Sequence, residues 1–68
     1  MSRTVYVRLR GYVGEAGEWP DAIFGSYEGL LNSVKGFTVT STITKTGEPC
    51  HWKDSGWAYS YEEVDYFD

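Results

Sequence analysis

Cys50 is the only cysteine of this 68-residue chain, which rules out the commonest staple of very small domains. No internal disulfide can form, and Cys50 with the single histidine, His51, cannot supply four ligands to a structural zinc ion. A chain of this length buries only about 60% of the surface its unfolded form exposes. Folding must also offset an ordering entropy of roughly 1.5 kcal/mol per residue. The core has to be built from aliphatic and aromatic side chains alone. Aromatics make up 18% of the chain, and each buries a large apolar area. One domain spanning residues 1–68 is expected. The lone thiol fits a reducing compartment, and neither a charged-then-apolar leader nor a membrane-length apolar run is seen. The expectation is a soluble cytoplasmic protein without membrane contact.

Apolar periodicity outlines the elements. Thr4 to Val13 alternates, with Val5, Val7 and Leu9 on one face and Tyr6, Arg8 and Arg10 on the other, the period of a strand. Pro20 and Asp21 read as a helix start. Ile23, Tyr27, Leu30, Leu31 and Val34 then form one helical stripe, which Lys35 and Gly36 end, so a helix is predicted over 21–35. Phe37 to Lys45 reads as a second strand, with Phe37, Val39 and Ile43 inward and Thr38, Thr40, Thr42 and Thr44 outward. Residues 46–56 hold the turn formers Gly47, Pro49, Asp54, Ser55 and Gly56 and read as a loop. Trp57 to Tyr66 is the third strand. Its parity changes midway, because Trp57, Tyr59 and Tyr61 oppose Val64 and Tyr66 unless a bulge near Glu62-Glu63 realigns them. The expected class is α+β, a single small β-α-β-β domain. Its three-stranded antiparallel sheet carries one helix on one face, in the order first, third, second strand. The helix stripe and the Val5/Val7/Leu9 and Phe37/Val39/Ile43 faces would share the core.

No constellation points to catalysis. Cys50 and His51 are adjacent in a predicted loop and should point apart, a poor nucleophile–base pair. The carboxylates lack the pocket that acid–base work needs. Gly11, Gly14 and Gly17 do not make a phosphate loop, and the acids do not follow calcium-loop spacing. No enzyme activity, metal or cofactor is expected. Arg8 and Arg10, on one face with Tyr6, could bind single-stranded nucleic acid, but cross-strand pairing with Glu62 or Glu63 is the preferred expectation.

Charge is distributed unevenly. The net charge is −4, which argues against direct binding of nucleic acid or an anionic membrane. Residues 14–28 carry Glu15, Glu18, Asp21 and Glu28 without a base. Residues 54–68 carry Asp54, Glu62, Glu63, Asp65 and Asp68, again without one. Residues two apart on a strand face lie about 6.6–6.8 Å apart, near the spacing of successive phosphates, and Glu63 and Asp65 have that separation in sequence. Aromatics set among charges, here Tyr61, Tyr66 and Phe67, are characteristic of interfaces. The candidate partner-binding residues are therefore Glu15, Glu18, Asp21, Tyr61, Glu62, Glu63, Asp65, Tyr66 and Asp68.

In size, lone cysteine and acidic surface, with acids at Glu15, Glu18, Asp21, Glu62, Glu63, Asp65 and Asp68, the chain resembles the small single-domain anti-CRISPR proteins of phages and other mobile elements. That group shares no sequence motif, so the resemblance is one of character and transfers no residue role. It implies a monomeric inhibitor, acting in the host cytoplasm if phage-encoded. Such an inhibitor would bind a CRISPR effector complex and block its basic DNA-binding channel by mimicking DNA. The alternative is a non-enzymatic interaction or regulatory module acting through a sheet edge or the threonine face.

Overall fold

The computed structural model describes residues 2–67. In chain order these form β1 (Ser2–Tyr12), β2 (Trp19–Phe24), α1 (Tyr27–Ser33), β3 (Thr38–Thr42), β4 (Pro49–Asp54) and β5 (Trp57–Phe67). The strands make one open sheet in the order β2-β1-β5-β4-β3, and every neighbouring pair is antiparallel. The fold is mostly strand with one short helix. This corrects the predicted β-α-β-β domain with a three-stranded sheet, which is a different class.

Two strands were hidden in segments that look like something else. β2 occupies the front half of the predicted helix. Pro20 sits on this edge strand, where a missing N–H breaks no inner ladder. The register with β1 shifts between Arg8 and Leu9, so Asp21 is the extra residue of a bulge. Ile23 continued the helical stripe by coincidence; it lies on a strand, 68% exposed. The helix starts later, at the N-cap Ser26, whose Oγ accepts a hydrogen bond from the Gly29 N–H at 3.0 Å. β4 occupies the predicted loop. Asp54 pairs with Trp57, leaving Ser55 and Gly56 as a two-residue turn with φ of 49° and 88°. Two consecutive positive φ values match the twist of a tight hairpin.

The β1–β5 ladder runs without a shift from Ser2↔Phe67 to Tyr12↔Trp57. Directly opposed residues share a face. One face therefore holds Tyr6, Arg8, Arg10 and Tyr12 with Glu63, Tyr61, Tyr59 and Trp57. The other holds Val5, Val7, Leu9 and Gly11 with Val64, Glu62, Ser60 and Ala58. The expected bulge near Glu62-Glu63 does not occur, and Val64 lies opposite in parity to the aromatic run.

The helix packs on the aromatic face. Leu30, Val34, Trp52 and Tyr59 are buried together, with Tyr6, Phe24, Tyr27, Leu31, Phe37 and Tyr61 packed around them. This overturns the expectation that Val5, Val7 and Leu9 would meet the helix. Their face carries no helix. Only the β1–β2 loop folds over one end of it, so closely that a Cβ on Gly11 would stand 2.6 Å from the Gly17 carbonyl oxygen.

Leu30, at 0% exposure, anchors this core. Leu30→Ala is expected to destabilise the domain by about 2–5 kcal/mol, whereas Ile23→Ala should stay within about 0.5 kcal/mol of the parent. Urea denaturation of the two variants checks this. A small loss at Leu30 or a large one at Ile23 would refute the assignment of the covered face.

Candidate binding surface

Three of the chain's cationic side chains are already engaged. Arg8 donates from Nε to Asp21 Oδ1 at 2.8 Å and from Nη2 to Asp21 Oδ2 at 2.9 Å, a two-pronged pair. Arg10 Nε lies 3.7 Å from Asp21 Oδ2, too long for a hydrogen bond, and this buried nitrogen has no hydrogen-bond partner. Both guanidinium groups lie over rings. Arg8 is 5.2 Å from the Tyr59 centroid and Arg10 is 4.5 Å from that of Trp57. Arg3 lies 5.2 Å from the Tyr66 ring. The strand bulge is what turns Asp21 onto the face of Arg8. Arg8 and Arg10 therefore do not pair with Glu62 or Glu63 as expected, and their ion pairs with Asp21 are the only ones among the described residues.

Those predicted partner-binding residues that the structure describes separate into four groups. Asp21, whose side chain is 9% exposed, is an internal counter-ion. Tyr61 is half-buried in the core, with its ring 5.6 Å from Tyr27 and 6.1 Å from Tyr6. Glu15 and Glu18 belong to the β1–β2 loop and border a cleft of about 320 Å³ that also involves His51, Ala58 and Ser60; Ser60 Oγ donates to Glu18 Oε2 at 3.0 Å. Glu62, Glu63, Asp65 and Tyr66 lie exposed on the far half of β5. Glu63 and Asp65 share a face, and Glu62 is on the other. Ser60 and Asp65 are about 17 Å apart along the strand, so the two acidic groups stand at different ends of it. Asp68 lies outside the described residues.

That far half of β5 has an open outer edge. Pairing of β2 with β1 reaches only to Tyr6↔Phe24, and pairing of β4 with β5 stops at Trp52↔Tyr59. Ser2–Val5 of β1 and Val64–Phe67 of β5 continue alone as a two-stranded ribbon, whereas Glu62 and Glu63 lie opposite Val7 and Tyr6, which β2 also pairs. The ribbon's apolar residues Val64, Tyr66 and Phe67 are exposed, Phe67 at 72%. Sequence reasoning found the acids and missed the ribbon, because it read residues 46–56 as a loop and so missed β4, of which only Trp52–Asp54 pair with β5. On the opposite edge, β3 is exposed throughout. Register shifts on either side of Ser41 disrupt the threonine ladder.

Other reactive groups are placed as follows. Cys50 and His51 lie in β4 and do not point apart, since Cys50 Sγ is 3.2 Å from His51 Nδ1. Among the described residues no group of three or more His, Cys, Asp or Glu is placed to hold a metal. No helix among them is long and apolar enough to cross a membrane. Tyr27 Oη donates to the Pro49 carbonyl at 2.6 Å, tying the helix to β4. Burial, followed by the neighbouring Tyr61, Glu48 and Cys50, pushes the Tyr27 hydroxyl up to about 12. Burial, then Glu63, raises Tyr61.

No protein family, curated protein or solved structure matches this chain.

Two predictions follow the geometry. Asp21→Ala leaves Arg8 uncompensated and is expected to destabilise the fold by on the order of 3 kcal/mol, while Glu62→Ala, Glu63→Ala and Asp65→Ala should each change stability by less than about 0.5 kcal/mol. Equal effects across the four variants in chemical denaturation would contradict the placement of Asp21. The second concerns alkaline pH. A phenol whose folded pKa is raised binds its proton more tightly when folded, so its contribution is complete below the ordinary value of 10.0 and is lost as pH rises toward about 12. Stability should fall across that window, and Tyr27→Phe should flatten the fall. Ultraviolet titration of the phenolates alongside circular dichroism measures both, and a Tyr27 ionising near 10 would contradict the burial argument.

Proposed function

We propose that this chain is a non-enzymatic binding protein that seats the acidic far half of β5 in a basic groove of a protein partner. One observation carries the reading. Glu62, Glu63 and Asp65 are exposed and, among the described residues, free of ion pairs along the open outer edge of β5, with Asp65 on the two-stranded ribbon. Asp21 pairs with Arg8 and lies beside Arg10 inside the fold, so neither arginine is drawn into an ion pair with Glu63 or Asp65. Glu63 and Asp65, two apart on an unbulged strand, have about the 6.6–6.8 Å spacing that resembles a phosphate row. The partner that fits is a nucleic-acid-binding effector, and the resemblance to small anti-CRISPR proteins makes a CRISPR effector complex the first to test. The mechanism is occupation of its DNA-binding channel.

A second reading draws on the uncovered face. Ile23 and Val64 are exposed there beside Val5 and Val7, and an apolar strip on a sheet face suits a protein–protein contact. In that reading binding depends on Ile23 and responds little to salt.

Competition separates the two. The protein should prevent an effector complex from binding target DNA, with an effect that weakens steeply as ionic strength rises. Glu63→Lys and Asp65→Lys should each weaken binding by about 2–5 kcal/mol where the carboxylate meets a desolvated base, and Glu62→Lys on the opposite face should do less. Ile23→Lys should be silent. Silent reversals at Glu63 and Asp65 with a damaging Ile23→Lys would overturn the acidic reading in favour of the apolar one.

A further inference from the structure

The ribbon raises a question its charge does not answer, namely what satisfies the backbone along its outer edge. β4 leaves β5 at Tyr59, and no backbone hydrogen bond among the described residues other than the β1–β5 ladder involves Ser60–Phe67. That is roughly 25 Å of free strand edge. The sheet's other edges are blunted. β2 carries Pro20 and the bulge at Asp21, and β3 is irregular on both sides of Ser41. The β1–β5 ladder alone runs long and regular. A ribbon of two strands is marginal in water, and a third strand with an apolar face is what stabilises such a unit. Val64, Tyr66 and Phe67 are the exposed side chains that a third strand would cover.

We infer that the free edge of β5 from Ser60 to Phe67 is a strand-addition site for an extended basic segment of a protein. The inference rests on the acidic reading above and specifies how the partner engages it. A second copy of the chain fits poorly, because pairing β5 with its copy sets Glu62, Glu63 and Asp65 against like charges. A basic strand meets them with the opposite sign. Side-chain alternation sets the pattern it needs. Across from Glu63 and Asp65 go two bases two residues apart, and across from Glu62, Val64 and Tyr66 go one base followed by two apolar residues. Main-chain hydrogen bonds then supply affinity, and the alternating contacts supply selection.

The test uses the full chain and the synthetic peptide Thr-Val-Lys-Val-Lys-Lys-Thr, which satisfies that pattern in antiparallel pairing. Two further peptides carry N-methyl groups on one or the other alternate set of amides, and a fourth replaces every Lys with Glu. Calorimetry should show binding of the unmodified peptide. It should show an affinity loss of about tenfold or more for one methylated set, whose amides face β5, and near-parent affinity for the other. The Glu peptide should not bind. Hydrogen exchange should show the outward amides of residues 60–67 protected only in the complex. If both methylated peptides bind like the parent, strand addition is wrong while the acidic surface stands as a charged contact. Failure of the unmodified peptide to bind also overturns the strand-addition site. The DNA-competition assay with the Glu63→Lys and Asp65→Lys variants then reports independently on the acidic reading.

Discussion

The backbone ladder between β1 and β5 decides nearly everything else. Its register is unbroken from Ser2↔Phe67 to Tyr12↔Trp57, so the parity of each residue in two long strands is set at once. Arg8 and Arg10 come onto the same face as Tyr59 and Trp57, Glu62 is separated from Glu63, and Leu9 lies across from Ser60. A slip of one residue would move each strand's whole set to the other side. The helix, the Asp21 bulge and the β1–β2 loop all adapt to that frame.

The covered face is unusual in holding two arginines. Their charge is tolerated because two devices act on the same groups. The Asp21 carboxylate lies near both guanidinium groups, and these lie over the Tyr59 and Trp57 rings. Stacking on an aromatic face suits Arg better than Lys. Cross-sheet aromatic contacts continue from there. Tyr12 stacks on Trp57 at 4.7 Å, and Phe37 meets Tyr59 at 5.2 Å. Aromatic area thus does the work that a disulfide or a metal does in other small domains, and the valine face is left with only a loop over one end.

Part of this was legible. The alternation of Val5, Val7 and Leu9 marks a strand, and the later half of the helical stripe, Tyr27 to Val34, is helical up to its cap at Val34. β2 was not legible because Pro20-Asp21 is as good a helix start as an edge strand with a bulge, and Ile23 falls in step with Tyr27 by chance. The Ser26 cap was the competing signal. β4 was hidden because the turn formers Gly47, Pro49, Asp54, Ser55 and Gly56 enclose it, although Cys50 and Trp52 alternate with His51 and Lys53 and Ser55-Gly56 ahead of an aromatic strand is a hairpin signal in its own right. Which face the helix would choose was beyond local pattern. Arg8 and Arg10 look like solvent residues until a counter-ion from another strand is placed between them. The same holds for the acids. Their clustering is plain in the sequence, but only the tertiary bulge removes Asp21 from the surface set, and only the parting of β4 from β5 at Tyr59 exposes the edge beside Glu62, Glu63 and Asp65.

The β1–β5 ladder also has a kinetic consequence. It joins residues at nearly the two extremes of the described chain, whereas β1–β2, β3–β4 and β4–β5 are hairpins that close locally. The pairing that sets the frame is thus the one with the greatest loop-closure entropy. Local hairpins form in about 1–10 μs, but folds dominated by distant pairings reach the native state in milliseconds to seconds. Until the two long strands meet, the aromatic halves of both lie open to other chains. Glu62, Glu63 and Asp65 then act as gatekeepers beside Tyr59 and Tyr61, keeping unfolded copies apart during that delay.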